Sequence, residues 1–217
     1  IRHFRGSPLQ VYFEKLSKKK LKVISKPQYI DKIPKYIKGK VSDVLSRIDE
    51  KGILEKLIDE LQLKNILDRP LEVLSGGELQ RVAIAAALSR EADVYIFDEP
   101  SSHLDVFQRL KVAKAIRELV NEGKIVLLAE HDLAMLDYLS DQVCILYGEP
   151  GVYGVVSHPH GVRVGINIYL NGFIPNENMR FRGEAIRFHV KPPKVSVKAS
   201  EWEIEWSLMK KNLDGFK

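Results

Sequence analysis

The sequence predicts an α/β fold: helices packed on the faces of a parallel or mixed sheet, with an α-helical arm beside it. Three observations carry that expectation. Helical and strand patterns alternate over residues 76–90, 93–97, 106–121, 124–129, 132–139 and 142–147, the signature of a sheet with crossover helices. The run Ile125-Val126-Leu127-Leu128-Ala129 is continuously apolar, as expected of a strand covered on both faces. The apolar strand Val94-Tyr95-Ile96-Phe97 ends in Asp98-Glu99-Pro100, so two adjacent carboxylates are delivered to the sheet edge where open α/β folds bind ligands.

The elements follow in order. Ser7-Pro8, with proline at the first helical position, opens a short amphipathic helix over 7–20 carrying Leu9, Tyr12, Phe13 and Leu16. Leu21 to Lys26 reads as a strand stopped by Pro27, which leaves Gln28 and Tyr29 on a loop. Helical patterns at 41–48 and 53–62 form the arm, the second through the stripe Ile53, Leu54, Leu57, Ile58 and Leu61. Gly148-Glu149-Pro150-Gly151 is a turn, and Val152 to Val156 returns as a hairpin strand. Between 157 and 200 the composition loosens into linker or hinge chemistry, with one short strand around Ile186, Phe188, His189 and Val190. Glu201 to Trp206 alternates strictly and reads as the first strand of a further domain.

Composition narrows the function classes. With 217 residues, 45% hydrophobic and 29% charged, the chain can bury a substantial core. The single Cys144 excludes a disulfide framework and is expected to be a buried, inert thiol in a reducing compartment. No stretch approaches the ~20 apolar residues of a membrane helix, and no signal-like segment is visible; a soluble cytoplasmic protein without a membrane partner is expected. The net charge of +5 conceals an asymmetry: +10 over residues 1–40, −9 over 41–179 and +4 over 180–217. A solvated face is one reading of the basic ends. The other is a polyanion contact, for which Arg2, Arg5, Ser7, Lys18, Lys19 and Lys20, interleaved with Phe4, Tyr12 and Phe13, are the candidates.

The chemistry concentrates in two runs. In Leu74-Ser75-Gly76-Gly77-Glu78-Leu79-Gln80-Arg81, a Gly-Gly pair opening a helix offers backbone N–H groups and a positive dipole end to an anion. In Asp98-Glu99, one carboxylate suits magnesium and the other suits activation of water. His131, one strand later, can donate one hydrogen bond while accepting another, and Asp132 after it can cap the next helix, as Asp105 can cap helix 106–121. His158, His160 and His189 lack metal spacing with a carboxylate or cysteine, so no ligand role is assigned. The phosphate-cradling G-x-x-x-x-G-K-[ST] is absent, since Gly39-Lys40 and Gly123-Lys124 have Pro34 and Glu118 where its first glycine belongs. The chain starts at Ile1 and stops in mid-pattern at Phe216-Lys217, and it is expected to be a piece of a longer polypeptide that hydrolyses nothing by itself.

These two runs resemble the signature and Walker B motifs of ABC-type ATPases, so the implied fold is an ABC-type P-loop ATPase domain lacking its P-loop segment. Beyond them, Phe4-Arg5-Gly6-Ser7, Lys26-Pro27-Gln28-Tyr29-Ile30-Asp31, Leu74 to Leu88, Ala129-Glu130-His131-Asp132-Leu133-Ala134 and Tyr147-Gly148 through Gly154 resemble the archaeal form of the ribosome-recycling ABC ATPases, the RNase L inhibitor family. That resemblance implies a twin-cassette protein using ATP and Mg2+ to split ribosomes into subunits. It assigns catalytic roles to Glu99, His131 and Gln28 and magnesium to Asp98 and Gln28. Ser75, Gly76, Gly77 and Glu78 become the signature that meets the other nucleotide, and Ser102, His103, Leu104 and Asp105 the D-loop. Residues 1–20 become part of a helix–loop–helix insertion, 21–156 the first ATPase domain, 157–199 the hinge and 200–217 the start of the second domain. The implied partners are that second domain, the small ribosomal subunit and its RNA, with release and initiation factors as further candidates. Iron–sulfur clusters are implied only for an N-terminal domain outside this chain. The alternatives are a nucleotide-binding subunit of a transporter or DNA-repair system, or a non-catalytic ABC fragment that binds RNA or protein.

Overall fold

The computed structural model describes residues 5–18 and 21–187. They divide into two compact units, one up to Asn167 and the other from Ile168 onward.

In the first unit, three strands form a parallel sheet in the order β1 (Val23–Lys26), β2 (Val94–Asp98), β3 (Ile125–Ala129). Registers run Val23 to Val94 to Ile125 and Lys26 to Phe97 to Leu128. Before the sheet lies α1 (Pro8–Ser17); after β1 come the one-turn α2 (Ile33–Tyr36), the arm helices α3 (Val41–Ile48) and α4 (Leu54–Glu60), and α5 (Gly76–Leu88). The helix α6 (Val106–Asn121) crosses from β2 to β3, and α7 (Leu133–Leu139) follows β3. Helix α5 packs on β1 and on both arm helices, while α6 lies against β3 and α7.

The core sits on one side of this sheet. Period-two alternation sends Ile24, Tyr95 and Phe97 into contact with Leu45, Leu57, Leu61, Val82, Ala85 and Ile116. On the opposite face the outer strands are open among the described residues, with Val23 45%, Ile125 52% and Leu127 57% exposed, while Val94 of the central strand is 8% exposed. This corrects the expectation of a strand covered on both sides: β3 is a sheet edge with only its Val126–Leu128 side against the core. Cys144 is also corrected, because its thiol is exposed rather than buried. It falls between two strands where the sequence pattern had one continuous strand over 142–147: β4 (Gln142–Val143) and β5 (Leu146–Glu149). The predicted hairpin is present, β5 pairing antiparallel with β6 (Tyr153–Val156), and β4 pairs with β7 (His160–Gly161).

Helix α8 (Val162–Asn171) occupies what composition marks as linker. Its β-branched residues and central Gly165 disguise it; Gly165 is there because a Cβ would stand 3.0 Å from Val143 Cβ. In the second unit, β8 (Phe173–Ile174) pairs with β9 (Met179–Arg180). Gly172, at φ +69°, accepts through its carbonyl from the N–H groups of Phe181 and Arg182. Ile186 lies in no strand; Phe188, His189 and Val190 and the alternating 201–206 lie outside the described residues.

Candidate functional site

The site is assembled at the C-terminal end of the parallel sheet, where β2 releases Asp98 and Glu99 beside the loops that follow β1 and β3. Glu99 takes the left-handed conformation, φ +45°, uncommon for a side chain with a Cβ. Its N–H donates to the Ala129 carbonyl at 2.9 Å, so the main chain turns while still tied to β3. Its carboxylate accepts from Gln28 Nε2 at 2.8 Å and from the Ser102 hydroxyl at 3.0 Å. His131 Nδ1 stands 3.9 Å away. Those two hydrogen bonds, Gln28 first, hold the Glu99 carboxyl below the usual carboxylate range, with smaller help from His131 and Lys26.

His131 is open to solvent, its side chain 71% exposed. Its backbone is fixed from below by Glu130, whose carboxylate accepts from the N–H groups of His131 at 2.8 Å, Asp132 at 3.0 Å and Ser101 at 3.3 Å. Asp132 caps α7 by accepting from Ala134 and Met135 and pairs with Arg109 at 2.5 Å. Arg109 in turn donates to the Leu104 carbonyl at 2.9 Å. The turn 101–105 and the loop 130–132 are thereby one bonded assembly. Asp105 caps α6 by accepting from the Gln108 N–H at 2.8 Å, and Leu104 is buried in the core.

Ser75 to Glu78 form a complete capping box at the start of α5. The Glu78 carboxylate accepts from the Ser75 N–H at 2.8 Å and its hydroxyl at 2.9 Å, and it pairs with Arg69 at 3.1 Å. The Ser75 backbone bond is the main cause holding its carboxyl below the ordinary range. Glu78 is therefore committed to the cap. The first intrahelical bond runs from Leu79 N–H to the Ser75 carbonyl at 2.9 Å, leaving the N–H groups of Gly76 and Gly77 ahead of it. A Cβ on Gly77 would lie 2.7 Å from the His103 carbonyl oxygen, and one on Gly76 3.4 Å from the His103 ring. The glycines thus admit His103, itself at φ +63°, against the helix start.

Gln28, Asp98, Glu99, Ser102 and His131 are brought together, and Ser75, Gly76 and Gly77 meet His103 at a separate corner. Arg5 and Lys18 are exposed and Ser7 half-buried along the N-terminal segment; Arg2, Lys19 and Lys20 lie outside the described residues. Sequence reasoning missed Lys26, Gln80, Arg109 and Glu130. Only Lys26 left a signal, since it shares the inward phase of β1 with Ile24. The Asp98 carboxylate takes no hydrogen bond or ion pair among the described residues, and these contain no group of three metal-binding side chains. A carboxylate left free at the strand end fits magnesium, which keeps waters and phosphate oxygens in its shell.

Residues 3–102 match the model of the ABC transporter family. The chain is 54% identical over its whole length to an uncharacterized ABC transporter ATP-binding protein of Methanocaldococcus jannaschii, covering 35% of that protein. It is 55% identical to the translation initiation factor RLI1 of Saccharomyces cerevisiae, over 88% of this chain and 32% of the relative. Among solved structures it superposes with a TM-score of 0.84 and 56% identity on the complex of archaeal ribosomal stalk protein aP1 and archaeal ribosome recycling factor aABCE1, over 91% of this chain and 38% of that one. A model of ribosome-bound archaeal Pelota and ABCE1 gives a TM-score of 0.85 at 57% identity, over 91% of this chain and 33% of that one. The chain thus spans about a third of the length of the curated relatives it matches. With the carboxylate pair, the glycine-led helix and the histidine loop placed as above, this chain belongs to the ABC-type ATPases, in the branch that contains the RNase L inhibitor and the archaeal ribosome recycling factor.

Proposed function

We propose that this chain is the part of a cytoplasmic twin-cassette ATPase that uses ATP binding and hydrolysis to separate ribosomes into subunits. The observation that carries the chemistry is the convergence of Gln28, Ser102 and His131 on Glu99 at the mouth of the sheet. An ionised carboxylate held between two neutral donors is oriented without being neutralised, as a general base must be. In this reading Glu99 accepts the proton of the water that attacks the γ-phosphate, and Gln28 orients that water. His131, exposed beside them, donates to the γ-phosphate oxygen on which charge develops. Asp98 and Gln28 would hold the magnesium ion, which supplies charge neutralisation of the phosphates when bound.

The glycine corner serves a different nucleotide. Ser75, Gly76 and Gly77 bind the triphosphate carried by a second ABC domain of the same polypeptide, while Glu78 maintains the cap. Ser102, His103, Leu104 and Asp105 form the D-loop between the two. Because each nucleotide touches both domains, ATP binds the closed arrangement better than the open one, and only such a difference in affinity drives closure. Iron–sulfur clusters belong elsewhere in the polypeptide: one cysteine, Cys144, does not make a cluster site.

The ribosomal setting draws support from relatives named for translation initiation and from structures of relatives with a ribosomal stalk protein and with ribosome-bound Pelota. The basic segment 1–40 fits contact with the RNA of the small subunit. No helix of the described residues is long and apolar enough to cross a membrane.

The test is Glu99→Gln in the full-length protein. ATP turnover should fall by about a hundredfold or more while ATP stays bound, and the variant should remain on small subunits in a sucrose gradient. Unchanged turnover refutes the reading. Turnover without any splitting of ribosomes refutes its ribosomal half.

A further inference from the structure

The main chain at Asp98–Pro100 is gripped from the core side by two buried side chains of different elements. Lys26, the last residue of β1 and 2% exposed, donates from Nζ to the Asp98 carbonyl at 2.7 Å and the Glu99 carbonyl at 3.4 Å. Gln80, one turn into α5 and 0% exposed, donates from Nε2 to the Glu99 carbonyl at 2.8 Å and the Pro100 carbonyl at 3.0 Å. Three successive carbonyls thus receive four hydrogen bonds from two side chains. No other residue of β1 or α5 places a side-chain donor on this turn among the described residues.

The placement is not what stability alone selects. A lysine buried under a parallel sheet loses hydration, and an apolar side chain would continue the Ile24, Tyr95 and Phe97 layer at that position. The cost coincides with the one backbone in the site that needs holding. Glu99 is a left-handed, non-glycine residue, a conformation that persists only where its surroundings over-determine it. Its carboxylate direction, and so its bonds to Gln28 and Ser102, follow from that turn. We infer that Lys26 and Gln80 are positioning residues for ATP hydrolysis, clamping the Asp98–Pro100 backbone so that the Glu99 carboxylate stands where it can take a proton from water.

The inference rests on the role proposed for Glu99 and deepens it. Lys26 leads through Pro27 into Gln28, so β1 contributes both a clamp on the Glu99 backbone and the amide on its carboxylate. Helix α5 contributes the other half of the clamp four residues after Gly76. Neither Lys26 nor Gln80 faces the solvent side where nucleotide binds, so each acts through Glu99.

The experiment uses the full-length protein with Lys26→Met and Gln80→Met, which keep length and apolar bulk and remove the donors. Each variant is expected to lower kcat for ATP about tenfold, with KM for ATP close to wild type and a melting temperature that falls but stays well above the assay temperature. In a Glu99→Gln background neither should lower single-turnover hydrolysis further, because a misplaced base costs nothing once the base is gone. Wild-type kcat in both variants overturns the inference, as do losses that multiply in the Glu99→Gln background. Failure of both variants to fold also overturns it, since the donors would then serve stability alone. Full turnover by Glu99→Gln itself would remove the underlying reading instead, so the two failures are distinguishable.

Discussion

Gln28 and Glu99, 71 residues apart in the chain, meet at 2.8 Å, amide donor to carboxylate acceptor. That bond is the leading reason the Glu99 carboxyl lies below its ordinary range. A depressed carboxyl stays ionised above its folded value, so its contribution to stability is present above the unfolded pKa of about 4.3 and fades as pH falls through the folded one. Activity carries the same sign. Gln28→Ala in the full-length protein should move the acid limb of the kcat profile to higher pH, and Ser102→Ala should move it less. A pH–rate series for the three proteins checks this, and an unmoved acid limb in Gln28→Ala contradicts it.

Lys26 gives a pH dependence of the opposite sense. Burial pushes its ammonium from 10.5 down to about 8 against the pull of Asp98, Glu99 and Glu130. Between those values the unfolded chain binds the proton that the folded chain has lost, so folding is favoured increasingly as pH rises through that window. Lys26→Met has no such proton, so its melting temperature relative to wild type should decline between pH about 8 and about 10. A constant difference across that range contradicts the prediction.

The two signature glycines should not be equivalent. Gly77→Ala drives a methyl to 2.7 Å from a backbone oxygen of His103, whereas Gly76→Ala meets the edge of a side-chain ring at 3.4 Å. The first requires the 101–105 turn to move and should cost about 1–3 kcal/mol. The second should cost well under half of that. Thermal melts of the two variants rank them, and an equal or reversed order rules the packing account out.

Arg81 ties the signature helix to the arm. Its guanidinium donates to the carbonyls of Leu61 and Gln62, both at 2.8 Å, and Gln62 is left-handed at φ +55°. Arg81→Met strands both acceptors and should destabilise by about 2 kcal/mol or more. Hydrogen exchange should then quicken first in residues 54–66. Unchanged exchange there shows that the arm is held by its apolar contacts alone.

The parallel sheet, its crossover helix and the capping residues Asp105 and Asp132 were legible because each rests on local chemistry: apolar periodicity, a proline stop, an oxygen before a helix. The nearness of Gln28 to Glu99 was available only through family resemblance, since nothing local in a loop glutamine reports a partner 71 residues away. Lys26 and Gln80 escaped for a sharper reason. A lysine closing a strand reads as solvated, and a glutamine inside a helix as surface, until the turn they serve has been placed. Helix α8 was hidden by β-branched residues and glycine within a loosely composed stretch, and the open face of β3 by the assumption that an apolar strand is apolar because both its sides are covered.

That open face has a practical outcome. Val23, Ile125 and Leu127 line one wall of a three-stranded sheet with water against them, and contiguous apolar surface of this kind adheres to whatever apolar matter it meets. Handled as an isolated polypeptide, these 217 residues should clump as their concentration climbs, and light scattering should fall when serine replaces Ile125 and Leu127 together.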